Sequence, residues 1–233
     1  VKFFITPLHK CSYLPRQDAI TLFADPKAEV NQNLYSDLSE MGFRRSGNYL
    51  YRPHCRQCAA CIPVRIPCDA FMPSRKQKRV TKKNADLKIT AVAPVYSEEH
   101  YQLYQSYIEQ KHRDGDMYPP SPEQYASFLL SDWGNTVFFE FRDDNSQLLA
   151  VSVCDILENG ISAVYTFYDI NQPKRSLGVM AVLWQIEEAK NRELPSVYLG
   201  YWIKECQKMS YKTDYRPLEM LIDDHWVQTN TKD

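Results

Sequence analysis

Apolar residues recur along this chain in two periods, and the change of period marks out its elements. Thr136 to Arg142, Leu148 to Ile156 and Ile161 to Tyr168 are short runs rich in β-branched and aromatic residues. Asp143-Asp144-Asn145 and Glu158-Asn159-Gly160 separate them as turn signals, which predicts three consecutive strands. Leu87 to Val95 is strand-like, and so is Val197-Tyr198-Leu199-Gly200-Tyr201. The helical period appears from Ser97 to Gln110, where Glu98 and Glu99 make a charged start, from Glu123 to Leu130, and over a long segment from about Ser176 to Arg192. Earlier in the chain, Leu34, Leu38 and Met41 fall on one face and predict a helix from Asp25 to Met41. Asp25 serves as its N-cap, Pro26 as its first helical position and Gly42 as its stop. Tyr49-Leu50-Tyr51 and Val64-Arg65-Ile66 read as short strands, and the segment from Arg113 to Pro122 as a loop.

The texture changes near residue 87, so the chain divides into residues 1–86 and 87–233. The second part predicts the order β-α-α-β-β-β-α-β, an α+β arrangement that resembles the acetyltransferase-like (GNAT) fold. In that fold the turn before the long helix presents backbone N–H groups to an anionic donor. Here the turn is Lys174-Arg175-Ser176-Leu177-Gly178, two cations followed by small residues. An ordinary helix start with flanking charge is the competing reading.

Charge sharpens the picture. The formal net charge is -1, yet Ser74 to Lys83 holds six cationic side chains and no acid. A segment like this attracts a polyanion, and without interleaved aromatics it suits phosphate contact better than base reading. The run is expected as an exposed helix or loop. Gly42-Phe43-Arg44-Arg45-Ser46-Gly47 places two guanidinium groups between glycine turns, a combination suited to carboxylates or phosphates. Tyr198 to Trp202, followed by Lys208-Met209-Ser210-Tyr211-Lys212, offers aromatic faces and cations to a nucleotide.

Cys55-x-x-Cys58-x-x-Cys61 and the later Cys68 are candidate thiolate ligands, but they lack the two separated pairs usual for zinc, and buried structural cysteines are the competing reading. No metal is assigned, and no cofactor is required. No run of about 18 apolar residues is present, so no transmembrane helix is expected. The apolar stretch after Val1 is too short for a secretory signal, and the missing initiator Met suggests a start inside a longer chain. A cytoplasmic location with reduced thiols is expected. No Gly-x-Ser-x-Gly, Walker or dinucleotide motif occurs, which favours catalysis by positioning over a covalent nucleophile.

These motifs together resemble a known family. Cys11-Ser12-Tyr13-Leu14-Pro15, Gly42 to Gly47, Tyr51-Arg52-Pro53, Cys61-Ile62-Pro63-Val64-Arg65 and Ser74 to Arg79 are similar to the N-terminal half of aminoacyl-tRNA–protein transferases. Tyr165-Thr166-Phe167-Tyr168-Asp169, Ser176-Leu177-Gly178, Tyr198 to Tyr201 and Cys206 to Lys212 are similar to the C-terminal half. The likeness is strongest to the short bacterial, leucine-transferring branch. It implies an enzyme whose partners are Leu-tRNA and proteins beginning with Asp or Glu, with no membrane involved, and whose products are marked for degradation. On that reading Arg44, Arg45 and Arg75 meet the acidic N-terminus. Lys76, Lys78, Arg79, Lys82, Ser176, Gly178, Lys208, Tyr211 and Lys212 hold the tRNA, and Tyr168, Asp169 and Tyr201 form the reaction centre. The arginine-transferring relatives carry a Cys-x-x-Cys and a Cys-Cys pair linked to metal or cluster binding. Here those positions read Cys11-x-x-Leu14 and Cys61-Ile62, so two of four ligands are missing. An acetyl-CoA-dependent N-acetyltransferase and a non-enzymatic zinc- and RNA-binding module are the alternative functions.

Overall fold

In the computed structural model, residues 1–229 are described. The N-terminal segment forms β1 (Phe3–Ile5), β2 (His9–Lys10), β3 (Asp18–Ala19), β4 (Thr21–Ala24), α1 (Gln32–Glu40), β5 (Arg44–Ser46), β6 (Tyr49–Pro53), β7 (Ile62–Pro67) and α2 (Arg75–Lys83). Then come β8 (Lys88–Val92), α3 (Glu98–Lys111), α4 (Pro122–Leu129), β9 (Thr136–Arg142), β10 (Leu148–Ile156), β11 (Gly160–Tyr168), α5 (Leu177–Asn191), β12 (Ser196–Trp202), β13 (Leu218–Ile222) and β14 (His225–Thr229). From β8 to β12 the order is the one the periodicity predicts.

A mixed eight-stranded sheet in the order β14-β13-β7-β12-β11-β10-β9-β8 forms the body of the molecule. Helices cover both faces. Leu177, Ala181, Ile186 and Ala189 of α5 bury against Phe139, Phe141, Ala150 and Ile161. Tyr101, Tyr104 and Ile108 of α3, with Tyr125 and Leu129 of α4, bury against Phe138, Val151, Val153 and Phe167 on the other face. Side chains of β9 to β11 supply both faces, the alternation being interrupted in β10 by register shifts at Leu148/Ala150 and Val153/Cys154. β7 comes from the first 86 residues, yet it lies inside this sheet, antiparallel to both β12 and β13. A separate four-stranded sheet, β1-β4-β6-β5, packs at the side.

The helix predicted from Asp25 starts later. Asp25 ends β4's turn, its carboxylate accepting the Lys27 N–H at 2.9 Å. Asn31 is the actual N-cap, its side chain accepting from the Leu34 N–H at 2.9 Å. Asp and Asn are equally good caps, so the local sequence left two starts open, and the β4–β6 pairing chose between them. The basic run is a helix because Ser74 and Gln77 form a capping box, with each side chain bonded to the other's backbone N–H at 3.3 and 2.8 Å.

The β5–β6 hairpin is anchored by one buried ion pair. Arg45 donates to Asp155 of β10 from Nε at 2.7 Å and from Nη2 at 3.0 Å, and the two side chains are 0% and 2% exposed. Tyr35 of α1 and Thr136 of β9 also donate to the Asp155 carboxylate, at 2.8 and 2.6 Å. Removing one partner leaves a buried charge uncompensated, which costs about 3–5 kcal/mol. Arg45→Met and Asp155→Leu are each expected to lower the unfolding free energy by about that amount, while the double variant recovers much of it. Denaturant titration of the four proteins reads this, and simple additivity of the two losses would contradict it.

Candidate active site and nucleic-acid interface

Among the described residues, β11 and β12 form the one parallel pair of the large sheet, and it is joined only at its start. Gly160, Ile161 and Ser162 lie opposite Ser196, Val197 and Tyr198. Further along, β11 runs on to Tyr168 and β12 to Trp202 without further pairing, so a gap opens between them. A register shift between Tyr198 and Gly200 bends β12 away.

Arg44 fills the apex of this gap. Its Nη1 donates to Ser162 Oγ at 3.1 Å and to the Tyr198 carbonyl at 3.2 Å, and its Nη2 donates to the Ala163 carbonyl. One guanidinium thus satisfies carbonyls of both strands where the ladder stops. Gly200, at φ +80°, makes room for it: a Cβ there would lie 3.2 Å from Arg44 Nε. Arg44 is half-buried, so it retains access to the gap.

Tyrosines surround this cation. Tyr107 of α3 packs its ring against Tyr168, with centroids 4.9 Å apart and the planes tilted by 57°. The buried Tyr165 hydroxyl has no hydrogen-bond partner among the described residues, and it faces Tyr107, Tyr104, Tyr168 and Tyr211. Burial pushes the hydroxyls of Tyr107, Tyr165, Tyr201 and Tyr211 above their ordinary range, so all four are neutral donors at neutral pH. Lys212, in the 3-10 segment Gln207–Asp214, is 7% exposed and donates from Nζ to the Tyr201 carbonyl. Burial, reinforced by the nearby Arg44 guanidinium, pulls its pKa down from 10.5 to about 7.

The sequence-predicted residues divide around this cleft. Arg44, Tyr168, Tyr211 and Lys212 come together, and Gly178 adjoins them: a Cβ at Gly178 would meet the Tyr168 ring at 3.1 Å. Ser176, at φ 53°, turns the chain into α5 beside it. Arg45 does not join the cleft, since adjacent strand residues face opposite sides and its fork is closed on Asp155. Tyr201 is adjacent but committed, its hydroxyl donating to the Gly42 carbonyl at 2.9 Å, which ties β12 to the N-terminal sheet. Asp169 holds its own turn, accepting from the Asn171 N–H and Nδ2 at 2.9 and 3.0 Å. Lys208 is at the surface, paired with Asp114 at 2.6 Å.

Arg75, Lys76, Lys78, Arg79 and Lys82 are exposed on α2, and none pairs with a carboxylate among the described residues. The buried side of that helix, Gln77 and Val80, packs toward α5. Its C-terminal end is fixed to the turn before α5, where Asn84 Nδ2 donates to the Arg175 carbonyl at 2.8 Å and Lys83 Nζ to the Lys174 carbonyl at 2.9 Å. The cationic face therefore leads to the mouth of the cleft. Sequence reading assigned Lys212 to the tRNA and gave Tyr107 and Tyr165 no role. The helical spacing of α3 offered no sign that Tyr107 meets a strand residue about sixty positions later.

The cysteines fall into two groups. Cys61 is close to Cys11, Cys55, Cys58 and Cys206, and burial, together with these neighbouring thiols, pushes its own thiol up to about 12. Cys68 lies at the far end of β7, roughly 20 Å away at strand rise, buried beneath α5. Among the described residues, no three His, Cys, Asp or Glu side chains are arranged to hold a metal ion.

Comparison with known proteins decides the family. The model for the arginine-tRNA-protein transferase N terminus matches residues 9–79, and that for the arginine-tRNA-protein transferase C terminus matches residues 99–222. The chain belongs to the arginine-tRNA-protein transferase family. Its curated relatives include an aspartate/glutamate leucyltransferase of Pseudomonas putida (strain GB-1), 56% identical over 99% of this chain and 97% of the relative. Another of the same name, from Pseudomonas fluorescens (strain Pf0-1), is 57% identical over the same shares. Among solved structures, L-PGS from Bacillus licheniformis is similar at 14% identity over 72% of this chain and 48% of that one, with a TM-score of 0.48.

For this transferase, the depressed Lys212 pKa makes stability depend on pH. Between about 7 and 10.5 the unfolded chain binds the proton that the folded chain has lost, so stability rises with pH across that window. Below it both states are protonated and the cost of burying the ammonium is present in full. Lys212→Met is expected to flatten this rise, as measured by denaturant unfolding at a series of pH values. An unchanged slope would contradict the assignment.

Proposed function

We propose that this transferase moves leucine from Leu-tRNA onto the α-amine of proteins whose first residue is Asp or Glu, and that the products are thereby marked for degradation. The observation that carries the reading is near-full-length identity above half to proteins named for that reaction. The geometry is compatible with it. The donor ester is already activated, so the enzyme needs mainly to juxtapose ester and amine, remove a proton and stabilise an oxyanion. Proximity supplies roughly 7–11 kcal/mol of the barrier and oxyanion donors about 3–4 more.

The sheet is read here as an acetyltransferase-like (GNAT) arrangement. The parallel pair that parts around Arg44, with α5 starting at its mouth, supports that. Residues 1–86 and 87–233 serve as two cooperating parts, the first supplying Arg44 and α2, the second the cleft walls. The exposed cations Lys76, Lys78, Arg79 and Lys82 track tRNA phosphates, with Arg75 at the start of the same helix. The Gly178 N–H in the first turn of α5, just past Ser176, receives the last phosphate before the terminal adenosine. The exposed Tyr211 ring offers that adenosine a stacking face. Arg44 is the remaining open guanidinium for the acceptor carboxylate, and Tyr168 lies at the reacting end.

Radiolabelled leucine and arginine, each presented on its own tRNA to peptides beginning with Asp, Glu or Ala, test the reaction. Leucine is expected on the Asp and Glu peptides and on neither account on Ala. Transfer of arginine, or of leucine to Ala, would replace the specificity stated above. The tRNA footprint has its own readout. Lys76→Ala with Lys78→Ala is expected to flatten the log–log salt dependence of tRNA binding by about 1.4–1.8, and an unchanged slope removes both lysines from the footprint.

A further inference from the structure

We propose that Lys212 is the proton acceptor of the transfer step, taking a proton from the acceptor's α-amine as that nitrogen attacks the leucyl ester. The inference rests on the reading of the β11–β12 gap as the reaction centre. It also moves Lys212 from the tRNA footprint into the chemistry.

The geometry comes first. Lys212 is buried, yet its Nζ reaches β12 at the Tyr201 carbonyl, in the part of the strand that β11 no longer pairs. The other buried cation near this region, Arg45, is closed on a carboxylate, whereas Lys212 pairs with none among the described residues. An ammonium without a counter-ion is costly to bury, and the arginine next to it adds repulsion. A neutral amine donating one N–H to a carbonyl keeps its lone pair available to accept a proton.

The groups facing Lys212 leave it as the member of the cleft that changes charge near neutral pH. Arg44 reaches it from β5, and Cys206 reaches it from the turn before its own segment. Around the Tyr201 anchor stand Tyr51 from β6 and Tyr13 and Cys61 from the N-terminal segment, all pushed up by burial and therefore neutral. Tyr211, beside Lys212, is neutral for the same reason. His112 lies beyond Tyr107, and burial, with Lys208 beside it, holds it below its ordinary value.

The step balances. The amine nitrogen bonds to the ester carbonyl carbon, and its extra proton moves to Lys212 Nζ. The bond from that carbon to the ribose oxygen then breaks, and the protonated Lys212 returns the proton to the departing oxygen. The products are a peptide longer by one leucine and a tRNA ending in a free hydroxyl.

The test is single-turnover transfer of leucine to an Asp-initiated peptide over a range of pH, using the wild-type chain, Lys212→Met and Lys212→Arg. Arginine keeps a positive charge and an N–H for the Tyr201 carbonyl but does not accept a proton at these pH values. Both variants are expected to lose a factor of about 10²–10⁴ in rate. Both are also expected to lose the ionisation near 7, leaving the limb of the acceptor amine near about 8. Leu-tRNA affinity, measured by filter binding, stays near wild type. A near-wild-type rate and profile in Lys212→Arg would reduce Lys212 to a strut between strands and overturn the proposal. Retention of the limb near 7 in Lys212→Met would overturn it too, even if the arginine variant fails to fold. A limb lying lower, where His112 titrates, would point to that residue instead. Should the wild-type chain itself leave Leu-tRNA undischarged, the functional reading fails along with this one.

Discussion

Two full charges are withdrawn from water where Arg45 meets Asp155, and only a saturated carboxylate makes that arrangement tolerable. Arg45 supplies two donors, Tyr35 and Thr136 one each. These four bonds join α1, β5, β9 and β10, elements spread over more than half the chain. A pair closed so completely fixes the rotation of β5 about its own axis. Because neighbours in a strand face opposite sides, fixing Arg45 inward on Asp155 aims Arg44 at the gap between β11 and β12. The position of the cleft's central cation is thus a consequence of a buried pair that lies outside the cleft.

The gap itself shows how a sheet makes a site out of missing hydrogen bonds. Where the parallel ladder ends, carbonyls of both strands need donors, and Arg44 and Lys212 provide them from elements outside the strands. The same two cations then face one another across a poorly solvated space. Of the two, Lys212 is the one whose hold on its proton is loosened, by burial first and by the guanidinium second. An element that completes the strands structurally is thereby also the group best placed to exchange a proton.

Electrostatics is divided between two regions with different tasks. The α2 cations are solvated and unpaired, so they act at a distance and are weakened by salt. The cleft cations are buried and act only at contact. The link between them is short and made of backbone acceptors: Asn84 and Lys83 hold the turn of Lys174 and Arg175, and that turn opens α5 beside Tyr168.

By itself the sequence determined what local chemistry can determine. The strands from Thr136 to Tyr168, the helical period of α3 and α5, and the clustered cations of Ser74 to Lys83 are all properties of a few neighbouring residues, and each is found where the pattern placed it. The family was legible for a related reason, since its motifs are short runs of adjacent residues. Only the tertiary structure decided which of Arg44 and Arg45 is open, that Tyr201 is bonded to Gly42, that β7 lies between β12 and β13, and that Lys212 is buried beside a guanidinium. Each of those outcomes depends on partners from about 130 to about 170 positions away in the last three cases and on Asp155 in the first, and no local period encodes a pairing at that range.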